Sequence, residues 1–179
     1  MSNYRRYFVQ GGAYFVTVVL KDRTQNYLTD YIALFRQAYQ KTIERYPFET
    51  IAICILPDHF HLIMQLPEND DNFSIRIAYL KTLFSRGLPK HCKQANKSQF
   101  KRRELGIWQR RFWDHVIRDE RDLYNHMDYV YYNPVKHQYV NSVKDWEFSS
   151  FHRDVEKGIY PLDWGGEVSE QCQNLYQEL

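Results

Sequence analysis

At 179 residues, 44% hydrophobic and 17% aromatic, the chain is long enough for one packed domain and too apolar to stay disordered. Cys54, Cys92 and Cys172 are odd in number and widely spaced, which excludes a disulfide framework and zinc-site spacing. The net charge is +2 and no stretch of ~18 apolar residues occurs, so a soluble, cytoplasmic protein without a membrane span or export signal is expected.

Gly11-Gly12 opens a β-branched and aromatic run over 13–20 that reads as a buried strand. From Thr29, an expected N-cap, to Tyr46 the residues Ile32, Phe35, Tyr39 and Ile43 recur at helical spacing, and Pro47 stops the helix. Residues 48–56 and 60–66 read as strands. The short Pro57-Asp58 turn between them implies an antiparallel hairpin. Asn72-Phe73-Ser74 starts a helix with Ile75, Ala78, Tyr79 and Leu83 expected inside and Arg76 and Lys81 outside. Residues 87–106 are polar, basic and weakly periodic, which predicts a loop. A fourth strand is expected over 108–117. A last helix is expected from Asp119 to about Tyr132, with acids in its first turn and Pro134 closing it. The order β-α-β-β-α-β-α predicts an α+β, ferredoxin-like sandwich: a central antiparallel sheet with helices packed on it. One domain over 1–165 and a tail over 166–179 are expected.

The charge is unevenly placed. Between Arg76 and Arg111 there are eleven Lys or Arg against the single acid Glu104, a local +10 that leaves −8 for the rest. A solvated helix face normally alternates sign, so this run reads as a polyanion footprint. Fifteen tyrosines and four tryptophans are more than a core of this size usually takes. Packing accounts for most of them, and stacking on a ligand is the alternative for some. Arg5, Arg6, Arg110, Arg111, His115 and Lys136 are the expected contacts to such a polyanion, and of these Arg110, Arg111, His115 and Lys136 read equally as surface charges or core-edge partners.

His59-Phe60-His61 follows the hairpin turn. In a strand, residues i and i+2 share a face, so two imidazoles ~6–7 Å apart at Cα can converge on one divalent ion while Phe60 points to the core. A second constellation runs from Asp128 to Lys136, where Tyr129 and Asn133 are four apart and share a helix face. Asn133 offers a carbonyl oxygen to a hard cation and Tyr129 offers a nucleophile. Read alone, Tyr129 is equally a core ring and Asn133 a residue that ends a helix before proline.

Leu56-Pro57-Asp58-His59-Phe60-His61-Leu62-Ile63, the run Ile107 to Arg118, the run Asp128-Tyr129 to His137, and the run Trp146 to Arg153 followed by Gly158 to Trp164 resemble the REP-associated tyrosine transposases. These are a bacterial branch of the HUH (His-hydrophobic-His) single-strand transposases, and the similarity spans about Tyr4 to Gly165. The resemblance implies the HUH nuclease fold, with His59 and His61 as the metal pair, Tyr129 as nucleophile and Asn133 at the third ligand position. Related insertion-sequence enzymes carry glutamine at that last position. It further implies Mg²⁺ or Mn²⁺ and a hairpin DNA substrate from repetitive extragenic palindromes, with a short single-stranded guide 5′ of the hairpin. A monomer is implied, with a dimer as the alternative, in a nucleoid-associated bacterial setting.

A tyrosine in water is only about 0.1% phenolate at pH 7, a handicap of roughly 4 kcal/mol. A divalent ion offsets this by polarising the scissile phosphate. Tyr132, three residues on, partly shares the face of Tyr129, whereas Tyr131 points about 200° away. His126 and His137 receive no role from the sequence. Two rivals stay open: a hairpin-binding regulator that keeps the fold and does not cut, and a metal phosphoesterase that uses water.

Overall fold

The computed structural model describes residues 7–102 and 104–165, so Arg5 and Arg6, Arg103, Cys172 and the tail over 166–179 lie outside the described residues. Four strands, β1 (Ala13–Val19), β2 (Glu49–Ile55), β3 (His59–Gln65) and β4 (Trp113–Val116), form one antiparallel sheet in the order β2-β3-β1-β4. That is the expected α+β sandwich, with crossover helices between β1 and β2 and between β3 and β4.

Strand alternation divides the core in two. One face of β1 and β3 (Tyr14, Val16, Val18, Phe60, Leu62, Met64) packs under α2 (Ile32–Arg45) and α3 (Phe73–Gly87). The other face (Phe15, Ile63, with Ala52 and Cys54 of β2) packs under α5 (Glu120–Lys136) and α6 (Phe151–Glu156). The outer edge of β2 is covered by the 148–150 segment, through Ile55 N to Phe148 O at 2.8 Å and Ser150 N to Ile53 O at 2.9 Å. Among the described residues no helix is long and apolar enough to cross a membrane.

The structure departs from the sequence reading at several places. The expected helix over 29–46 is two: α1 (Tyr27–Asp30) and α2, separated at Tyr31. Thr29 lies inside α1, so it caps nothing. On α3 the buried set is Phe73, Arg76, Ile77, Leu80, Phe84 and Ser85, spaced i, i+3, i+4, i+7, i+11 and i+12. Ala78 is exposed and Arg76 is buried, the reverse of expectation. The guanidinium of Arg76 is satisfied by the carbonyls of Pro47 and Asn72 and by Asp70 at 2.7 Å, and this is what allows a charge inside. It ties α3 to the end of α2 and is no part of a DNA footprint. The expected loop contains a single turn, Lys90–Cys92, and a short helix, α4 (Lys97–Lys101).

Two further differences shape the site. The expected strand over 108–117 keeps its ladder only from Trp113; upstream a single bridge joins Trp108 to Leu20, and Arg110 and Arg111 loop out, exposed. Pro134 does not end the last helix. It sits inside α5, which runs on to Lys136 and is closed by Gln138 in the left-handed region (φ 59°). A proline in a last turn forfeits one hydrogen bond and is tolerated where the helix ends within a residue or two. The extra turn keeps Asn133 and Lys136 on the helix.

Candidate active site

His59 and His61 project from β3 on the face under α5, and Tyr129 and Asn133 descend from α5 towards them. The two imidazoles lie 5.0 Å apart, centroid to centroid, at 84°. The Tyr129 ring meets His61 edge-on at 5.2 Å. All four residues are buried. Phe15 stacks on His61 at 5.6 Å and meets Tyr129 edge-on at 6.0 Å, so one ring on β1 holds the tyrosine–histidine pair in register.

Each histidine is fixed through Nδ1. His59 Nδ1 donates to Asp58 Oδ1 at 2.6 Å, and Arg23 Nε donates to the other oxygen of that carboxylate at 2.8 Å. Burial pushes the Asp58 carboxyl up, but the bond and charge of His59, then those of Arg23, outweigh it and hold it at about 2. His61 Nδ1 shares a 2.8 Å hydrogen bond with Thr17 Oγ1, the residue opposite it across the β1–β3 ladder. Both rings therefore keep Nε2 for another partner, the arrangement that orients imidazoles on a metal. His61 Nε2 and Asn133 Oδ1 are sealed from water without a hydrogen-bond partner, a costly state for neighbouring buried polar atoms. Asn133 Nδ2 leans on Tyr129 O at 3.4 Å. Two imidazole nitrogens and an amide oxygen suit a divalent, oxygen-preferring ion.

Burial, then the charge of His59, holds His61 well below the usual histidine range; the Asn133 amide beside it opposes this. Its folded pKa thus lies below the unfolded value near 6.5, so the stability linked to the neutral ring is fully present above pH ~6.5 and is lost as pH falls. Stability measured by urea unfolding should fall between pH 7.5 and 5, by up to about 1.4 kcal/mol per pH unit for each such histidine. His61→Phe should flatten the slope. A wild-type slope that is flat over this range, or unchanged in the variant, contradicts the assignment.

Two residues the sequence left without a role, or gave another, join the site. His137 meets the His59 ring at 5.2 Å, and burial, then His59, lowers its pKa. Its four-residue spacing from Asn133 was the available signal. Lys136, expected to contact DNA, holds its ammonium 5.0 Å from the Tyr129 ring centroid, where a cation favours a phenolate. Thr17 carried no signal, because only the strand register sets it against His61.

His115, another expected DNA contact, is half-buried. Its Nε2 donates to Asp122 Oδ2 at 2.9 Å and its ring stacks on His126 at 4.6 Å. Arg118 reaches the same carboxylate oxygen, with N and Nε each at 3.0 Å, and His126 Nδ1 donates to Asp122 O at 2.7 Å. The cluster braces β4 against the first turn of α5. Arg110 and Arg111 are exposed and available to a ligand.

The neighbouring tyrosines are occupied differently. Tyr131 is fully buried and donates to Asp154, with Ser150 Oγ at 3.0 Å. Tyr132 packs at the edge of the α5 core. Tyr131→Phe leaves the Asp154 carboxylate with Arg153 alone and should cost about 1–3 kcal/mol in urea unfolding. Unchanged stability in the variant would contradict a bracing role.

Residues 8–133 match the family described as "Transposase IS200 like". A protein of Haemophilus influenzae described as a REP-associated tyrosine transposase is 71% identical over 166 residues, 93% of this chain and 94% of that one. The REP-associated tyrosine transposase of Escherichia coli K12 is 45% identical over 170 residues, 95% and 94% of the two chains. Among solved structures, a REP-associated tyrosine transposase bound to a REP hairpin superposes with a TM-score of 0.81 at 44% identity, covering 94% of each chain.

Proposed function

This chain belongs to the IS200-like transposase family, in its branch of REP-associated tyrosine transposases, and we propose that it cleaves and rejoins single-stranded DNA beside palindromic-repeat hairpins through a 5′-phosphotyrosine on Tyr129. The observation that carries this reading is the meeting of Tyr129 with His61, next to His59 and the unpartnered Asn133 oxygen. The hairpin substrate is supported by the REP hairpin bound to the similar solved transposase.

The Tyr129 hydroxyl oxygen attacks the scissile phosphorus, a P–O(Tyr) bond forms, the P–O3′ bond breaks, and the 3′-oxygen leaves with a proton. The Lys136 ammonium over the ring stabilises the charge that develops on the phenol oxygen as its proton departs. Phe15 and the helix hold the ring in one orientation, so little freedom is lost at the moment of attack. The bond energy stays in the phosphotyrosine, and attack by a second 3′-hydroxyl reverses the step elsewhere without ATP. His59 and His61, through Nε2, and Asn133, through Oδ1, would hold Mg²⁺ or Mn²⁺. When bound, the ion supplies Lewis-acid polarisation of the phosphate.

The test is a hairpin with single-stranded flanks, labelled at its 3′ end and incubated with protein and Mg²⁺ or Mn²⁺. A labelled protein species that survives denaturation is expected. Cleavage without it indicates a phosphoesterase that uses water, and binding with neither indicates a regulator.

A further inference from the structure

Past the histidine pair the site ends in two stacked rings that the chemistry above does not use. Tyr139 lies on Trp146 at 5.6 Å and 28°, and Tyr139 is 44% exposed. Both rings are held in place. α5 closes in a Schellman turn, with Tyr139 N donating to Pro134 O and Gln138 N to Val135 O, each at 2.9 Å. The left-handed Gln138 bends the chain straight after His137, so Tyr139 leaves the helix axis. Beneath it, Trp146 donates its indole N–H to Ile55 O at 3.0 Å and meets Phe148 edge-on at 5.4 Å. Anchored to the last residue of β2, the indole is a rigid floor for Tyr139. A half-exposed aromatic face on such a support suits a flat apolar partner, and beside a phosphotransfer site that partner is a nucleic-acid base.

Position says which base. Ring contacts run in series from Tyr129 to His61 at 5.2 Å, to His59 at 5.0 Å, to His137 at 5.2 Å and to Tyr139 at 6.0 Å. The two tyrosines stand at opposite ends of that series, with the histidine pair between them. Burial, then the Asp58 carboxylate, pushes the Tyr139 hydroxyl up while Arg23 opposes, so the ring also lies near the carboxylate that orients His59. Arg23 bonds Asp58 through Nε, and its side chain is 47% exposed at this end, a cation for a phosphate.

In-line displacement sets the entering and leaving oxygens on opposite sides of phosphorus. With the Tyr129 oxygen entering, the 3′-oxygen departs towards His59 and Tyr139. We propose that Tyr139, backed by Trp146, stacks on the base of the nucleotide that carries this leaving 3′-oxygen and so sets the register of the strand over Tyr129. In joining, the same ring receives the base behind the attacking 3′-hydroxyl, because joining reverses cleavage. The proposal rests on the cleavage argued above and adds a base subsite to it.

The experiment maps the cleavage position from the wild-type adduct. It then places 2-aminopurine, whose fluorescence falls on stacking, at the nucleotide on either side of that position. Tyr129→Phe protein with Mn²⁺ keeps the DNA uncut during the measurement. Quenching is expected at the 5′ nucleotide, the one bearing the 3′-oxygen. It should be lost when Tyr139→Leu is added and kept with Tyr139→Phe. Quenching at neither position, confined to the 3′ nucleotide, or unchanged by Tyr139→Leu overturns the proposal. As a second measurement, an abasic 5′ nucleotide should raise the half-saturating DNA concentration for adduct formation by wild type about 5- to 100-fold. The same abasic DNA should cost the Tyr139→Leu protein nothing beyond what the variant has already lost. Losses that add overturn the subsite, and the wild-type half of this test needs no variant to fold. No covalent adduct in the wild type sinks the function and the subsite together, whereas an adduct without 5′ quenching sinks only the subsite.

Discussion

Tyr129→Phe should eliminate the covalent protein–DNA species and both cleavage and strand joining, a loss on the order of 10⁴-fold or more, because the proposed nucleophile itself is gone. The ring contacts with His61, Phe15 and the Lys136 ammonium do not need the hydroxyl. Folding stability should therefore change by about 1 kcal/mol. Affinity for the hairpin should stay within a few fold, since phosphate contacts elsewhere supply most of it. Tyr132→Phe and Tyr131→Phe should retain the adduct. Mass spectrometry of the trapped species locates the link, and an adduct that persists in Tyr129→Phe or maps to Tyr132 assigns the chemistry to the wrong ring here.

His59→Ala and His61→Ala should each remove metal-dependent cleavage, by at least about 100-fold, the upper end of what losing a partner that merely orients a ligand does. Titration of Mn²⁺ into the wild type should give a binding isotherm that vanishes in the double variant, with hairpin affinity largely kept. Asp58→Asn and Thr17→Val should fall between, about 10- to 100-fold weaker in metal affinity, because they leave both Nε2 atoms in place and loosen only the rings. The His59 variant is the cleaner of the pair, since His61 also packs against Phe15. Unchanged cleavage in the double variant with a chelator present would rule out the metal role.

The sequence by itself determined the architecture wherever side-chain period was the signal. The β-branched and aromatic run over 13–20, the run over 60–66 and the short turn at Pro57-Asp58 specify paired strands, and a strand with one residue out of phase would turn His59 and His61 towards α2 and α3 and Phe60 towards α5. The His-x-His spacing and the four-residue step from Tyr129 to Asn133 likewise place each pair on one face from local geometry alone. What the sequence missed were the places where long-range partners overrule local preference. Arg76 reads as a surface cation until Pro47, Asn72 and Asp70 are brought around it. Pro134 reads as a helix end until α5 runs past it.

Only the tertiary structure decided which residues meet. Thr17 faces His61 through the β1–β3 register, 44 positions away in sequence. Lys136 reaches Tyr129 and His137 reaches His59 because α5 keeps its last turn and lies across that face. His115 was drawn into the Asp122 cluster by the docking of α5 on β4. Periodicity fixes the direction of a side chain relative to its own element. The distance between side chains on different elements depends on how those elements pack, and no single segment of sequence carries that information.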